Sequence, residues 1–281
     1  MRTYLDCYPC FLRQALEAAR RLGADETKQK ILLDRVLGLL RRVDLSSTPP
    51  RIGDQVHRLV RCELQNGDPY RAYKEEATRE ALALLPRLKR LMEEAGNTLE
   101  AAVRLSIAGN IIDAGTGDNR ELWPTVQRVL SQAFAIDNMD ELREALKAAA
   151  GVLYLADNAG ETVFDLLLIE SLGKAVVYAV KGGPILNDAT AVDARMAGVD
   201  RAAVLLSTGS DAPGTILDRC SEHFRRVYEE SELVIAKGQA NYETLSEAGP
   251  NVFFLLQTKC PVIARDLNVP AGSIVLKQGG G

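Results

Sequence analysis

The sequence predicts an α/β protein: a Rossmann-like, mostly parallel sheet with helices on both faces, preceded by an all-helical N-terminal part. Three observations predict it. The first 150 residues carry apolar side chains mainly at helical spacing. From Gly151 onward, short, wholly apolar, β-rich runs recur, as expected of strands buried on both faces. Helical patterns lie between most of these runs, which is the alternation of a doubly wound sheet. A boundary is therefore expected near residue 150, with a helical domain over 1–150 and a Rossmann-like catalytic domain over 151–281. The N-terminal helices are candidates to cover the sheet edge.

Apolar spacing predicts helices over residues 9–22 and 26–42. The Pro49-Pro50 break precedes a helix through His57 and Leu59, and Asn66-Gly67-Asp68-Pro69 reads as a loop. A long helix over 70–94 bears the stripe Leu82, Leu84, Leu85, Leu88 and Leu91. Asn97-Thr98-Leu99-Glu100 reads as the start of a helix reaching Asn110. Two more helices are expected over 121–134 and 138–149. Strands are expected at 152–156, 175–180, 203–206, 233–236, 252–256 and 273–276, with helices at 160–172, 188–197, 215–229 and 241–247.

The chain has 281 residues, 47% of them hydrophobic, and a formal net charge of −4. That balance, with no long basic run, does not favour nucleic acid. An anionic substrate would need positive charge gathered locally, by a metal or a few lysines. No uninterrupted apolar stretch reaches the roughly 18 residues of a membrane span, and the N-terminus lacks a secretory apolar core. Five cysteines, an odd number, argue for reduced thiols or metal ligands over a disulfide scaffold. A cytoplasmic location is the expectation.

In open parallel sheets, ligands bind beyond the carboxyl ends of the strands, so the residues following each predicted strand carry the functional question. After the first comes Asp157-Asn158-Ala159-Gly160-Glu161. An aspartate and an asparagine here offer hard oxygen ligands suited to Mg²⁺, Mn²⁺ or a similar ion, or they cap the following helix. Asp188, after the second strand, either caps a helix or returns a second carboxylate to the same edge. Two carboxylates and an amide from adjacent strand tips can hold one divalent cation and leave positions for water and phosphate.

After the third strand, Ser207-Thr208-Gly209-Ser210-Asp211 presents hydroxyls, glycine and amides of the kind that bind phosphate, with Thr208 and Gly209 the candidates. Asp211 is open as a catalytic base, a further metal-site carboxylate or a turn residue. Lys259, after the fifth strand, is a compact charge able to pair with a phosphate oxygen, or a solvated loop lysine. Five consecutive strand ends with this chemistry favour the functional reading. GxGxxG after the first strand, GxxxxGK[ST] and Gly-x-Ser-x-Gly are all absent. With two histidines, a metal-activated nucleophile is a simpler expectation than histidine catalysis.

The ordered strings Asp157-Asn158-Ala159-Gly160-Glu161, Leu186-Asn187-Asp188, Lys237-Gly238-Gln239-Ala240-Asn241-Tyr242 and Thr258-Lys259 resemble the damage-control phosphatases, also catalogued as domain of unknown function 89, the ARMT-like fold. Cys7-Tyr8-Pro9-Cys10 and Asp68-Pro69-Tyr70 resemble its prokaryotic and archaeal subfamily. The resemblance covers nearly the whole chain. It implies a metal-dependent phosphatase of small phosphorylated metabolites, using Mg²⁺, Mn²⁺, Co²⁺ or Ni²⁺. It implies that Asp157, Asn158 and Asp188 bind the metal, and that Asn187, Gln239, Asn241 and Lys259 contact substrate or phosphate. Leu256-Gln257-Thr258-Lys259 departs from the Arg-Thr-x-Lys signature of other subfamilies, which bears on the substrate. The expected mechanism is in-line attack by water, oriented by the metal or by Asp211, with an aspartyl-phosphate on Asp157 as its alternative. Some relatives are described as S-adenosylmethionine-dependent protein carboxyl methyltransferases, and a non-catalytic metal- or nucleotide-binding module is the third reading.

A second constellation is Cys7 and Cys10 with Cys62, a candidate zinc or redox site of structural or regulatory role. His57 and Cys62 are five residues apart, about 140° around a helix, so they are not expected to ligate together. The alternative is that Cys62 is a small core residue.

Overall fold

The computed structural model describes residues 1–95, 98–111 and 122–280; Asn97 and residue 121, where helices were expected to begin, lie outside them. The elements are α1 (Cys7–Arg21), α2 (Glu26–Leu40), α3 (Pro49–Leu64), α4 (Arg71–Glu94), α5 (Thr98–Ile111), α6 (Leu122–Ser131), β1 (Phe134–Asp137) and α7 (Met139–Ala148). Then follow β2 (Gly151–Leu155), α8 (Thr162–Ser171), β3 (Ala175–Val180), α9 (Ala191–Ala197), β4 (Val204–Ser207), α10 (Glu222–Glu230), β5 (Val234–Lys237), α11 (Gly238–Leu245), β6 (Val252–Gln257), α12 (Pro261–Asp266) and β7 (Ile274–Gln278).

The strands form one sheet of order β1-β7-β6-β5-β2-β3-β4. Neighbours among β2 to β6 are parallel; β7 runs antiparallel to β6, and β1 runs parallel to β7. The chain leaves β2 for β3 and β4 on one side, then returns to place β5 on the other. The topological switch point therefore falls between β2 and β5.

Strand periodicity sorts the core into two layers. Val152 and Tyr154 of β2, with Phe253 and Leu255 of β6, face the cluster built from α4 to α9. Leu153, Leu155, Phe254 and Leu256 face the other way, onto Phe224 of α10, Tyr242 and Leu245 of α11 and Ile263 of α12. Helices α1 to α3 pack together in a third cluster that reaches the sheet layers through Val262.

Two expectations need correction. Residues 134–137, read as the last residue of one helix and the link to the next, form β1, so the first 150 residues are not all helical. This four-residue edge strand alternates half-buried and exposed side chains, too short a signal to read, and it exists because β7 pairs with it from far along the chain. The helix expected over 215–229 is shorter: a 3-10 turn at Leu217–Arg219 and α10 are separated at Cys220 and Ser221, where Ser221 caps α10 by accepting from the Phe224 amide.

Helices α5 and α8 approach closely at Gly109. A Cβ there would lie 2.8 Å from Phe164 Cβ and 3.2 Å from Glu161 Cγ. Gly109→Ala should therefore destabilise the fold by about 1–3 kcal/mol through overpacking, measured by denaturant unfolding; an unchanged midpoint and slope would show that the helices can separate freely.

Candidate active site at the switch point

Asp157 and Asn158 follow β2 directly, at the switch point where open α/β sheets bind ligands. The loop after β3 is zipped to this turn: Asn158 and Asp188 form an antiparallel bridge. The Ala159 amide donates to Asn187 O (2.9 Å), and the Ala189 amide donates to Asp157 O (2.7 Å). These backbone bonds bring Asp157, Asn158, Asn187 and Asp188 side by side, though 30 residues of chain separate the two turns. Asp157 and Asp188 are both buried.

Burial raises the Asp157 pKa well above the ordinary carboxylate value; Glu161 and Asp188 push it further, while Lys259 and Lys181 oppose. Burial likewise raises Asp188 to about 6, against the attraction of Lys181. Lys181 Nζ donates to Gly214 O and lies 3.4 Å from Asp188 Oδ2, joining the β3 and β4 loops. Lys259 is exposed on the turn after β6, with its charge close enough to Asp157 to favour the ionised carboxylate.

Beneath this surface lies a buried network that the sequence reading did not assign. Lys237 ends β5 with no exposure, and its ammonium donates to Glu161 Oε1 (2.6 Å), Asp165 Oδ1 (2.7 Å) and Ser106 O (3.0 Å). Burial works against that charge, but Asp165 and Glu161 outweigh it and hold the lysine above its usual pKa. The Tyr154 and Tyr178 hydroxyls each donate to Asp165 at 2.7 Å. Glu161 Oε2 faces the site, where it accepts from Asn158 Nδ2 (3.1 Å) and Asn110 Nδ2 (3.0 Å). The same two amide nitrogens donate to Asp157 Oδ2, at 2.9 and 2.7 Å. The legible signal was a charge in otherwise apolar surroundings: Asp165 within α8, Lys237 at the end of a buried strand.

Gly238 makes this packing feasible. Its φ is +77°, in the left-handed region, and a Cβ would sit 1.9 Å from Asp157 Oδ2.

Other expected residues take different roles. The Thr208 amide donates to Val180 O (2.8 Å) and the Gly209 amide to Ser207 Oγ (3.1 Å), so this pair does not stand open as a phosphate cradle. Asn241 is fully buried; Nδ2 donates to Ala156 O and Lys237 O, and Oδ1 accepts from Thr215 Oγ1, which makes it a clamp between β2 and β5 instead of an open substrate contact. Gln239 Oε1 accepts from the Lys259 and Cys260 amides (2.8 and 3.2 Å), so it shapes the turn that presents Lys259. Both Asp211 oxygens are engaged by guanidinium groups, Arg58 at 2.5 Å and Arg61 at 2.9 Å, which ties the β4 loop to α3.

The cysteine constellation also changes. Cys62 is exposed on α3 and so is not a core residue, and among the described residues Cys7, Cys10 and Cys62 do not gather into a group that could hold a metal. The thiol whose charge acts on both Cys7 and Cys10 is Cys260. His57 is buried, with Nε2 3.3 Å from Gln14 Oε1; burial and Arg61 lower its pKa to about 4.

Among the described residues, no three His, Cys, Asp or Glu side chains converge as a cation site built from those types alone would. The donor set at the switch point mixes carboxylates with amides, and it fits a hard divalent cation on two observations. Asp188 Oδ2 is buried and accepts no hydrogen bond, with only the Lys181 ammonium near it at 3.4 Å among the ion pairs of the described residues. The Asn158 nitrogen is held between two carboxylates, which turns its oxygen away from them.

A doubly wound sheet with acidic and amide donors at its switch point, and Lys181 3.4 Å from one of them, belongs to the class of α/β proteins that bind ligands at that point. The chain belongs to the damage-control phosphatase ARMT1-like family, whose domain matches residues 3–275. It is 34% identical to damage-control phosphatase PH1575 of Pyrococcus horikoshii over 98% of this chain and 97% of that one. It is also 34% identical to a damage-control phosphatase of Archaeoglobus fulgidus (96% and 97% covered) and 37% identical to the uncharacterized protein MJ0202 of Methanocaldococcus jannaschii (96% and 93%). The crystal structure of the P. horikoshii protein, described as a DUF89 family protein, superposes with a TM-score of 0.92 at 33% identity, covering 99% of each chain. Among the described residues, no helix is long and apolar enough to cross a membrane.

Two measurements check the architecture of the site. Lys237→Met leaves two buried carboxylates without their cation and should cost about 3–5 kcal/mol in denaturant unfolding; a loss below 1 kcal/mol would mean that the triad is solvated. Gly238→Ala should leave the far-ultraviolet circular dichroism intact while displacing Asp157, read as changed chemical shifts of the Asn158 and Asn110 side-chain amides.

Proposed function

We propose that this chain is a divalent-metal-dependent phosphomonoesterase acting on small phosphorylated metabolites, sugar phosphates and damaged metabolites among them. One observation carries the reading: the turns after β2 and β3 are zipped together, so two buried carboxylates and an oriented amide adjoin. Asp157, Asn158 and Asp188 would hold the cation, Mg²⁺, Mn²⁺, Co²⁺ or Ni²⁺. When bound, it supplies a Lewis acid for phosphoryl oxygens.

Lys259 pairs with a phosphoryl oxygen as a point charge. Glu161 and Lys237 keep Asn158 and Asp157 from reorienting, so the donors stay in place as charge builds on the transferring group. Water is the nucleophile in this reading. Asp211 serves as an anchor for the β4 loop through Arg58 and Arg61. With all five cysteines unpaired, the cytoplasm is the compartment that suits the enzyme.

A specific contact weighs against the methyltransferase reading. The turn after β2, where a cofactor would need a glycine-rich approach, is roofed by α4: a Cβ on Gly160 would lie 3.1 Å from Ala77.

The test is a phosphatase screen of sugar phosphates and nucleotides with each of the four metals, beside a titration with S-adenosylmethionine. Wild type should release phosphate only with metal, and Asp157→Asn should lower turnover by about 10²–10³-fold with unchanged circular dichroism. Full turnover by Asp157→Asn, or tight S-adenosylmethionine binding without phosphate release, would end the assignment.

A further inference from the structure

We propose that Asn110 Oδ1 is a further oxygen donor to the divalent cation at the switch point; the inference rests on the cation reading above. Asn110 is near the end of α5 and only 2% exposed. A buried amide is costly unless both of its ends are paired. Its nitrogen is paired twice, to Asp157 Oδ2 at 2.7 Å and Glu161 Oε2 at 3.0 Å. Its oxygen is buried and accepts no hydrogen bond.

The amide cannot be turned over to relieve this. A flipped carboxamide would set its carbonyl against two carboxylate oxygens and leave both without the donor. The orientation is therefore set by Asp157 and Glu161, and a bare oxygen is its consequence. Asn158 is treated in the same way: its nitrogen donates to the same two oxygens, at 2.9 and 3.1 Å. Two asparagines far apart in the chain are thus held by one carboxylate pair, each with its nitrogen bound and its oxygen released. An amide oxygen without a donor, beside carboxylate groups, suits a hard cation; it would repel a phosphate oxygen.

The mounting is rigid. Lys237, itself paired with Asp165, holds Glu161 from below with no solvent exposure. Gly109 brings the backbone of α5 against Phe164 and Glu161 of the adjacent turn, so Asn110 is delivered to Glu161 by helix packing. Asp188 Oδ2, which has Lys181 Nζ at 3.4 Å and accepts no hydrogen bond, is supplied by the neighbouring loop.

The test is binding of Mn²⁺ alone, without substrate, followed by the electron paramagnetic resonance of free Mn²⁺. Asn110→Ala should bind Mn²⁺ about tenfold or more weakly than wild type, with unchanged circular dichroism. Asn110→Asp, which keeps an oxygen in place but loses the amide hydrogens, should bind more tightly than Asn110→Ala. Wild-type affinity in Asn110→Ala overturns the inference, and so does an Asn110→Asp variant no better than alanine, since the nitrogen alone would then matter. If alanine prevents folding, Asn110→Leu, which fills the space without an oxygen, takes its place beside Asn110→Asp: the melting temperature of Asn110→Asp should rise more with Mn²⁺ than that of Asn110→Leu, and equal rises overturn the inference. Absence of Mn²⁺ binding in wild type is a separate result, which overturns the cation reading itself.

Discussion

Lys237 sits between Glu161 and Asp165 with no solvent exposure, and the structure above it depends on that contact. Three ionised groups in a sheet-and-helix core carry a heavy desolvation cost, offset only when geometry and further hydrogen bonds are good. Here Ser106 O takes another lysine proton, and two tyrosines and a serine complete Asp165. Strand β5, helix α8 and helix α5 are thereby joined at one point. Glu161 cannot turn away from Lys237, so its other oxygen is a fixed acceptor for Asn158 and Asn110. Those amides in turn hold Asp157.

Close approach is the second constraint. Gly238 leaves room for Asp157, and Gly214 does the same for the β4 loop: a Cβ there would fall 2.3 Å from Ala240 O. Gly182 sits against Gly209, where a Cβ would be 2.6 Å from the Gly209 carbonyl carbon. The loops after β3, β4 and β5 are consequently packed on one another with little slack. Asn241 and Lys181 add side-chain bonds across the same joints. The site has the character of a rigid floor, in keeping with a task that needs donors held in position.

Helices α3 and α4 meet that floor through charge. Arg58 and Arg61 grip Asp211, Arg51 pairs with Asp218, and Arg219 lies 3.3 Å from Asp54. From α4, buried Lys74 reaches Asp68 at 3.0 Å and Asp193 of α9 at 3.5 Å. Polar contacts of this kind orient one layer on another, while the apolar cores do most of the burying.

The sequence by itself determined the alternation of helices and strands in the second half, because wholly apolar runs and helical spacing are local signals. With the strands came their carboxyl ends, and so the placing of Asp157, Asn158, Asp188 and Lys259 on one edge of the sheet. It also carried the ordered strings by which the family is recognised. The tertiary structure decided what no local pattern encodes. Four edge residues, 134–137, became a strand because β7 lies beside them. Thr208 and Asn241 turned inward because backbone carbonyls from other segments met them first, and the Gly209 amide was taken by Ser207 Oγ. Asn110 and Lys237 entered the site because α5 and β5 are brought against the turn after β2. Hydrogen bonds and ion pairs between distant segments depend on distances that only the folded chain defines, whereas periodicity is written residue by residue.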